Sequence, residues 1–62
     1  MVPLLKFKKQ RKRRTLTQYE LALLSGVGRD TIAKLETTDR RATRETAQKL
    51  ARVLKVKPEQ LL

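Results

Sequence analysis

Cysteine, histidine and tryptophan are absent from this 62-residue chain. Without cysteine there is no disulfide and no thiolate metal site. Without histidine there is no imidazole to ligate a metal, complete a triad or act as a base near neutral pH. Aromatic side chains are reduced to Phe7 and Tyr19, which argues against a stacking platform for single strands or RNA loops. The six acidic residues form no pair in a glycine-rich or metal-loop pattern. An enzyme is therefore not expected, and neither is a catalytic residue, a cofactor or a metal ligand. Long hydrophobic runs are missing too. The apolar opening, Met1 to Leu5, is far too short for a membrane span or signal peptide, and its charges follow the apolar run. The expected location is the cytoplasm.

What the chain has in excess is positive charge. Sixteen Lys and Arg stand against six Asp and Glu, a formal charge of +10. Such a balance on one small domain predicts attraction to a polyanion, the bland alternative being solubility alone. The length allows a single domain, residues 1–62, with a core so small that a helical bundle is the economical solution, helped by dimerisation.

The chain is organised around the stretch from Thr17 to Glu36. Thr17 and Glu20 have the spacing of a capping box, and Leu16 with Leu21 the spacing of a hydrophobic staple. A short helix over about Gln18 to Ser25 would bury Leu21 and Ala22, with Leu24 left open between core and surface. Gly26 ends it, because glycine enters the left-handed region without a Cβ clash. A second helix from about Arg29 to Glu36 presents Ile32 and Leu35 on one face. Two short helices across a glycine turn must cross steeply, and small Ala22 lets them approach. That geometry defines a helix-turn-helix, whose second helix can enter the DNA major groove.

On either side lie weaker and stronger patterns. Residues 3–14 read as a basic first helix, with Pro3 suited to its first position and Leu4, Phe7 and Arg11 on one face. The segment holds seven basic residues and no acidic one, so the rival reading is a disordered arm that orders on DNA. Thr43 is a cap for a helix through about Leu54, where Ala47, Leu50, Ala51 and Leu54 form one buried stripe. Pro58 starts a last short helical turn, Glu59 to Leu62, whose leucines close the core. No strand signal is visible.

These residues resemble the phage-repressor type of helix-turn-helix domain, the Cro and lambda-repressor superfamily or XRE family. The matching signature is Leu16-Thr17-Gln18, Glu20-Leu21-Ala22, Gly26-Val27, Thr31-Ile32 and Leu35-Glu36. It continues through Leu50-Ala51, Leu54, Val56 and Leu61-Leu62. The likeness runs from about Phe7 to the end and implies an all-α, compact five-helix bundle. Departures fall in the loops. Thr15, Thr38 and Lys55 stand where the family often has Gly, Ala42 where it has Pro, and Gly28 where it has a Ser or Thr cap.

The outward face of the second helix of the motif offers Arg29, Asp30 and Lys34 as base-reading residues, the positions to which the resemblance also points. Arg29 could fork onto guanine, Lys34 could reach the same acceptors singly, and Asp30 could accept from cytosine. The competing role for Asp30 is to favour the helix dipole and orient Arg29. Gln18, at a helix N-terminus, is a phosphate-contacting residue in the family. Thr17, Gly28, Thr31, Arg40, Arg41 and Arg44 complete the expected backbone contacts. Arg11 and Glu36 occupy positions that form a buried ion pair in the family. Tyr19 is expected to pack at a helix edge rather than to stack on bases. Leu23 and Leu24 lie where the family is often polar and could meet another chain.

The function expected is sequence-specific binding of double-stranded DNA by a transcriptional regulator, with repression ahead of activation. The partner is double-stranded DNA, with a homodimer on it and neither a membrane nor a small-molecule ligand. Three alternatives compete: an antitoxin that autoregulates its operon, an RNA- or ribosome-associated basic protein, and a membrane-active cationic helix.

Overall fold

The computed structural model describes residues 1–62. Its elements are β1 (Val2–Pro3), α1 (Phe7–Arg13), α2 (Gln18–Ser25), α3 (Arg29–Thr37), β2 (Arg41–Ala42), α4 (Arg44–Leu54) and a single 3-10 turn (Pro58–Leu61). Four α-helices are present where five helices were expected. The last segment is too short for an i to i−4 ladder and closes instead through Gln60 N–H to the Lys57 carbonyl, 2.8 Å.

The N-terminus corrects two further expectations. The first helix begins at Phe7, not at Pro3, and the chain does contain a strand pair. Val2 and Pro3 lie antiparallel to Ala42 and Arg41. The Leu4 amide donates to the Arg40 carbonyl at 2.6 Å, and the Lys6 amide to the Leu61 carbonyl at 2.9 Å. These amides are taken by distant carbonyls before a helix can start. The two-residue bridge lacks the alternation that marks a strand in sequence, so the residues themselves do not announce it. With α1 in place as a helix, residues 7–13 are not a disordered arm.

The capping devices sit where their residues suggest. Thr17 Oγ1 accepts from the Glu20 amide at 3.0 Å, while Glu20 Oε1 accepts from the Thr17 amide at 2.9 Å. Gly26, at φ 76°, ends α2, its amide donating to the Ala22 carbonyl. Thr43 caps α4 through the Thr46 amide at 3.2 Å. The far end of α4 is capped from outside the helix: Arg14 Nε donates to the Leu54 carbonyl at 2.8 Å.

One core holds the elements together. Phe7, Leu21, Ile32, Leu50, Leu54 and Leu61 are fully buried, with Leu4, Leu35, Ala42, Ala47 and Ala51 closing around them. Ala22 is half-buried and packs against the cluster, as does Leu16 in its staple position. Leu24 lies outside it, 64% exposed: the covered strip of α2 runs through Gln18, Leu21, Ala22 and Ser25, and position 24 falls on the other side of Leu21 from Ala22. Leu61 is buried and Leu62 is not.

Two residues other than glycine occupy the left-handed region, Thr15 at φ 54° and Lys55 at φ 57°. Both follow helix ends, at two of the positions where the resembling family often carries glycine. A side chain with a Cβ costs about 1–2 kcal/mol in this conformation. Lys55→Gly should therefore stabilise the domain by about 1 kcal/mol and raise Tm by about 4–8 °C. Thr15→Gly should do at least as much, because the β-branched residue is the more strained. Thermal unfolding followed by circular dichroism measures both, and a fall in Tm for either would contradict the strain.

Candidate nucleic-acid interface

The site is built around a buried charge. Arg11 of α1 presents its guanidinium fork to Glu36 in the last turns of α3. Nε meets Oε2 at 2.5 Å and Nη2 meets Oε1 at 3.0 Å. The third side of the guanidinium donates to the Leu16 carbonyl at 2.7 Å. Gln18 Nε2, at the start of α2, donates to Glu36 Oε1 at 3.0 Å. The side chains are 12% exposed for Arg11 and 1% for Glu36. Burial alone would push the Glu36 carboxyl up. The hydrogen bonds from Arg11 and Gln18 and the charges of Arg11 and Lys8 outweigh it and hold the carboxyl below its ordinary value.

This network fixes the start of α2. Thr17 uses its oxygen lone pair on the Glu20 amide, which leaves its hydroxyl hydrogen free. Gln18 spends one amide hydrogen on Glu36 and keeps the second. The backbone amides of Gln18 and Tyr19 have no acceptor within the chain. Free donors thus converge where the positive end of the helix dipole lies.

On α3 the inner face is Ile32, Leu35 and Glu36, all buried. Asp30 and Lys34 fall one turn apart on the opposite, exposed face, with Arg29 exposed at the N-terminal end and Thr31 beside them. Asp30 does not orient Arg29, because no ion pair joins them. The Arg29 guanidinium lies instead over the ring of Tyr19, 6.0 Å from its centroid. Tyr19 is 56% exposed, so it packs against an arginine rather than against the core. The glycine turn brings the two together from the starts of α2 and α3, a contact that residue spacing alone does not show. Gly28 precedes α3 with no side chain to cap it, its place for a Cβ open except for Thr31 Oγ1 at 3.8 Å.

Beyond α3, Arg40, Arg41 and Arg44 are all exposed around β2. Asp39 Oδ1 accepts from the Arg41 amide at 3.2 Å and stands 3.8 Å from Arg41 Nε, both side chains well exposed. That pair is weak and leaves the arginine available. Arg40 and Arg44 make no ion pair. The structure therefore gathers three groups of the expected site residues: Thr17 and Gln18 at the start of α2, Gly28 to Lys34 on α3, and the arginines around β2. The role of Arg14 at the end of α4 has no signature in the sequence, since its acceptor lies 40 residues away.

Two short helices packed together across a glycine turn, with an exposed polar face on the second, define a helix-turn-helix protein. The family profile described as helix-turn-helix matches residues 7–61. The chain belongs to that family, in its phage-repressor or XRE form, a family of DNA-binding regulators. Among solved structures it is similar to the restriction-modification controller protein C.AhdI from Aeromonas hydrophila. The two are 30% identical, with a TM-score of 0.84 over 92% of this chain and 86% of that one. No curated protein sequence matches significantly. No helix is long and apolar enough to cross a membrane.

Glu36→Gln should destabilise the domain by about 3–5 kcal/mol at neutral pH, because it strands the Arg11 charge. Arg11→Met combined with Glu36→Leu should recover much of that loss. The pH dependence has a fixed sign. The folded-state pKa lies below the ordinary 4.5, so the contribution is full above that value and lost as pH falls through the folded one. The gap in urea midpoint between wild type and Glu36→Gln should narrow in acid. A gap that stays constant from neutral to strongly acid pH would contradict the pairing.

Proposed function

We propose that the protein binds double-stranded DNA in a sequence-specific manner and regulates transcription, α3 being the recognition helix. The observation that carries this reading is the exposed surface of α3, where Asp30 and Lys34 stand opposite the buried Ile32 and Leu35 and Arg29 is exposed at the helix start. Arg29, held over Tyr19, and Lys34 meet guanine acceptors, and Asp30 meets a cytosine amine. Thr17, Gln18, Gly28 and Thr31 grip phosphate at the two helix starts, and Arg40, Arg41 and Arg44 grip it from the loop and the first turn of α4.

C.AhdI is a controller of a restriction-modification system. By that likeness, this chain controls genes in the cytoplasm, and repression is the direction we propose. Two copies bind adjacent half-sites about one helical turn apart. Leu23 and Leu24, 66% and 64% exposed, are apolar side chains free to meet a second copy.

The test separates reading from gripping. Arg29→Ala and Lys34→Ala should each cost about 1–3 kcal/mol on the best duplex selected from a random library. Each should also relax preference at a defined base pair. Tyr19→Leu should relax preference at the pair met by Arg29 and leave the salt dependence unchanged. Arg40→Ala, Arg41→Ala and Arg44→Ala should weaken selected and scrambled duplexes alike. Each phosphate left unneutralised should flatten the plot of log affinity against log salt by about 0.9. Salt titration of the set on both duplexes is the measurement. If the α3 variants lose affinity uniformly, with base preference intact, α3 is not the recognition helix.

A further inference from the structure

The proposed contacts leave the most basic segment of the chain without a role. α1 and its flanks carry seven cations, and only Arg11 and Arg14 have partners within the chain. Lys8, Lys9, Lys12 and Arg13 of α1 line an open groove of about 650 Å³, which Arg40 faces from the loop after α3. All five side chains are exposed, and none makes an ion pair or a side-chain hydrogen bond. The one acid in the lining is Glu36, which is paired with Arg11, accepts a hydrogen bond from Gln18 and acts on Lys8 only through space. The groove is therefore a concentration of excess positive charge, five cations beside one acid that is already paired, and like charges on one short helix repel one another until an anion arrives.

Its position indicates which anion. Through Glu36 the groove adjoins Gln18 at the start of α2, and through Arg40 it runs into the loop arginines. Both neighbours are phosphate contacts in the reading above. No aromatic ring lines the groove, so it offers nothing for unstacked bases to stack on, which disfavours RNA loops and single strands.

We propose that this groove is a second phosphate-binding surface. It seats the backbone of the same duplex that α3 reads, with Lys8 and Lys12 as principal contacts and Lys9 and Arg13 at its outer side. The assignment rests on α3 being the recognition helix. It turns α1 from a purely structural helix into part of the grip, and it predicts that affinity depends on salt more steeply than the motif and its loop alone require.

The experiment compares Lys8→Gln/Lys12→Gln, Lys8→Arg/Lys12→Arg, Arg29→Ala and wild type. The probes are a duplex selected from a random library, its scrambled counterpart and a structured RNA hairpin, each titrated with salt. The Gln pair should flatten the salt slope by about 1.8 on both duplexes, two phosphates at about 0.9 each, and leave base preference unchanged. The Arg pair should keep the wild-type slope. Both positions are exposed and like charges surround them, so Tm should not fall below wild type, which excludes a folding defect. An unchanged slope for the Gln pair, with base preference still shifted by Arg29→Ala, overturns the groove and spares the recognition helix. Loss of RNA binding with duplex binding intact overturns the choice of partner. If Arg29→Ala leaves base preference unchanged, the recognition-helix reading fails, and the groove assignment falls with it.

Discussion

The Arg11–Glu36 pair is the constraint on which the arrangement of the domain depends. It ties α1 to the end of α3, and the same two side chains bind the Leu16 carbonyl and the Gln18 side-chain Nε2 just before and within the first turn of α2. Three elements thus meet at one carboxylate. Hydrophobic packing holds them together but is not directional, and in a core this small it would tolerate sliding. A buried fork with three acceptor atoms, two of one carboxylate and one carbonyl, tolerates very little. Desolvating two charges makes such a pair a poor source of net stability. Its effect here is to set the angle at which the α2 donors and the α3 surface face outward together.

That angle matters because the proposed contacts come from separate elements. Thr17 and Gln18 belong to the start of α2, Arg29 and Lys34 to α3, and the arginines to the chain around β2. The Tyr19–Arg29 contact is a smaller example of the same coupling. It places a long, flexible cation by means of a ring on the neighbouring helix, so that less side-chain freedom remains to be surrendered when a base edge is met.

Much of this is legible in the residues. The bounds of α2 and α4 follow from Thr17, Glu20, Gly26 and Thr43, because capping acts within three or four residues and leaves a local signature. The buried stripe Ala47–Leu50–Ala51–Leu54 is equally local. What the residues conceal is long-range. Arg14 at the end of α4 and the β1–β2 bridge join residues about 40 apart, and no short spacing encodes them. The sequence pattern starts the first helix four residues early because Pro3 suits a helix start and an edge strand alike. At the candidate site the exposed face of α3 is readable from Ile32 and Leu35. The place of Arg29 over Tyr19 depends on how two helices cross and is not.

The β1–β2 bridge has a consequence for the segment between α3 and α4. Residues 38–43 look like a free surface loop carrying two arginines, yet Val2 and Leu4 hold Ala42 and Arg40 from behind through backbone hydrogen bonds, with Pro3 paired to Arg41 between them. The loop is in effect one arc of a closed ring whose other arc contains Val2 to Leu4. Its conformational entropy is given up when the domain folds and is not charged again at association. The first few residues, far from α3 in sequence, therefore act as a brace. A change at Val2 or Leu4 acts on the orientation of Arg40 and Arg41.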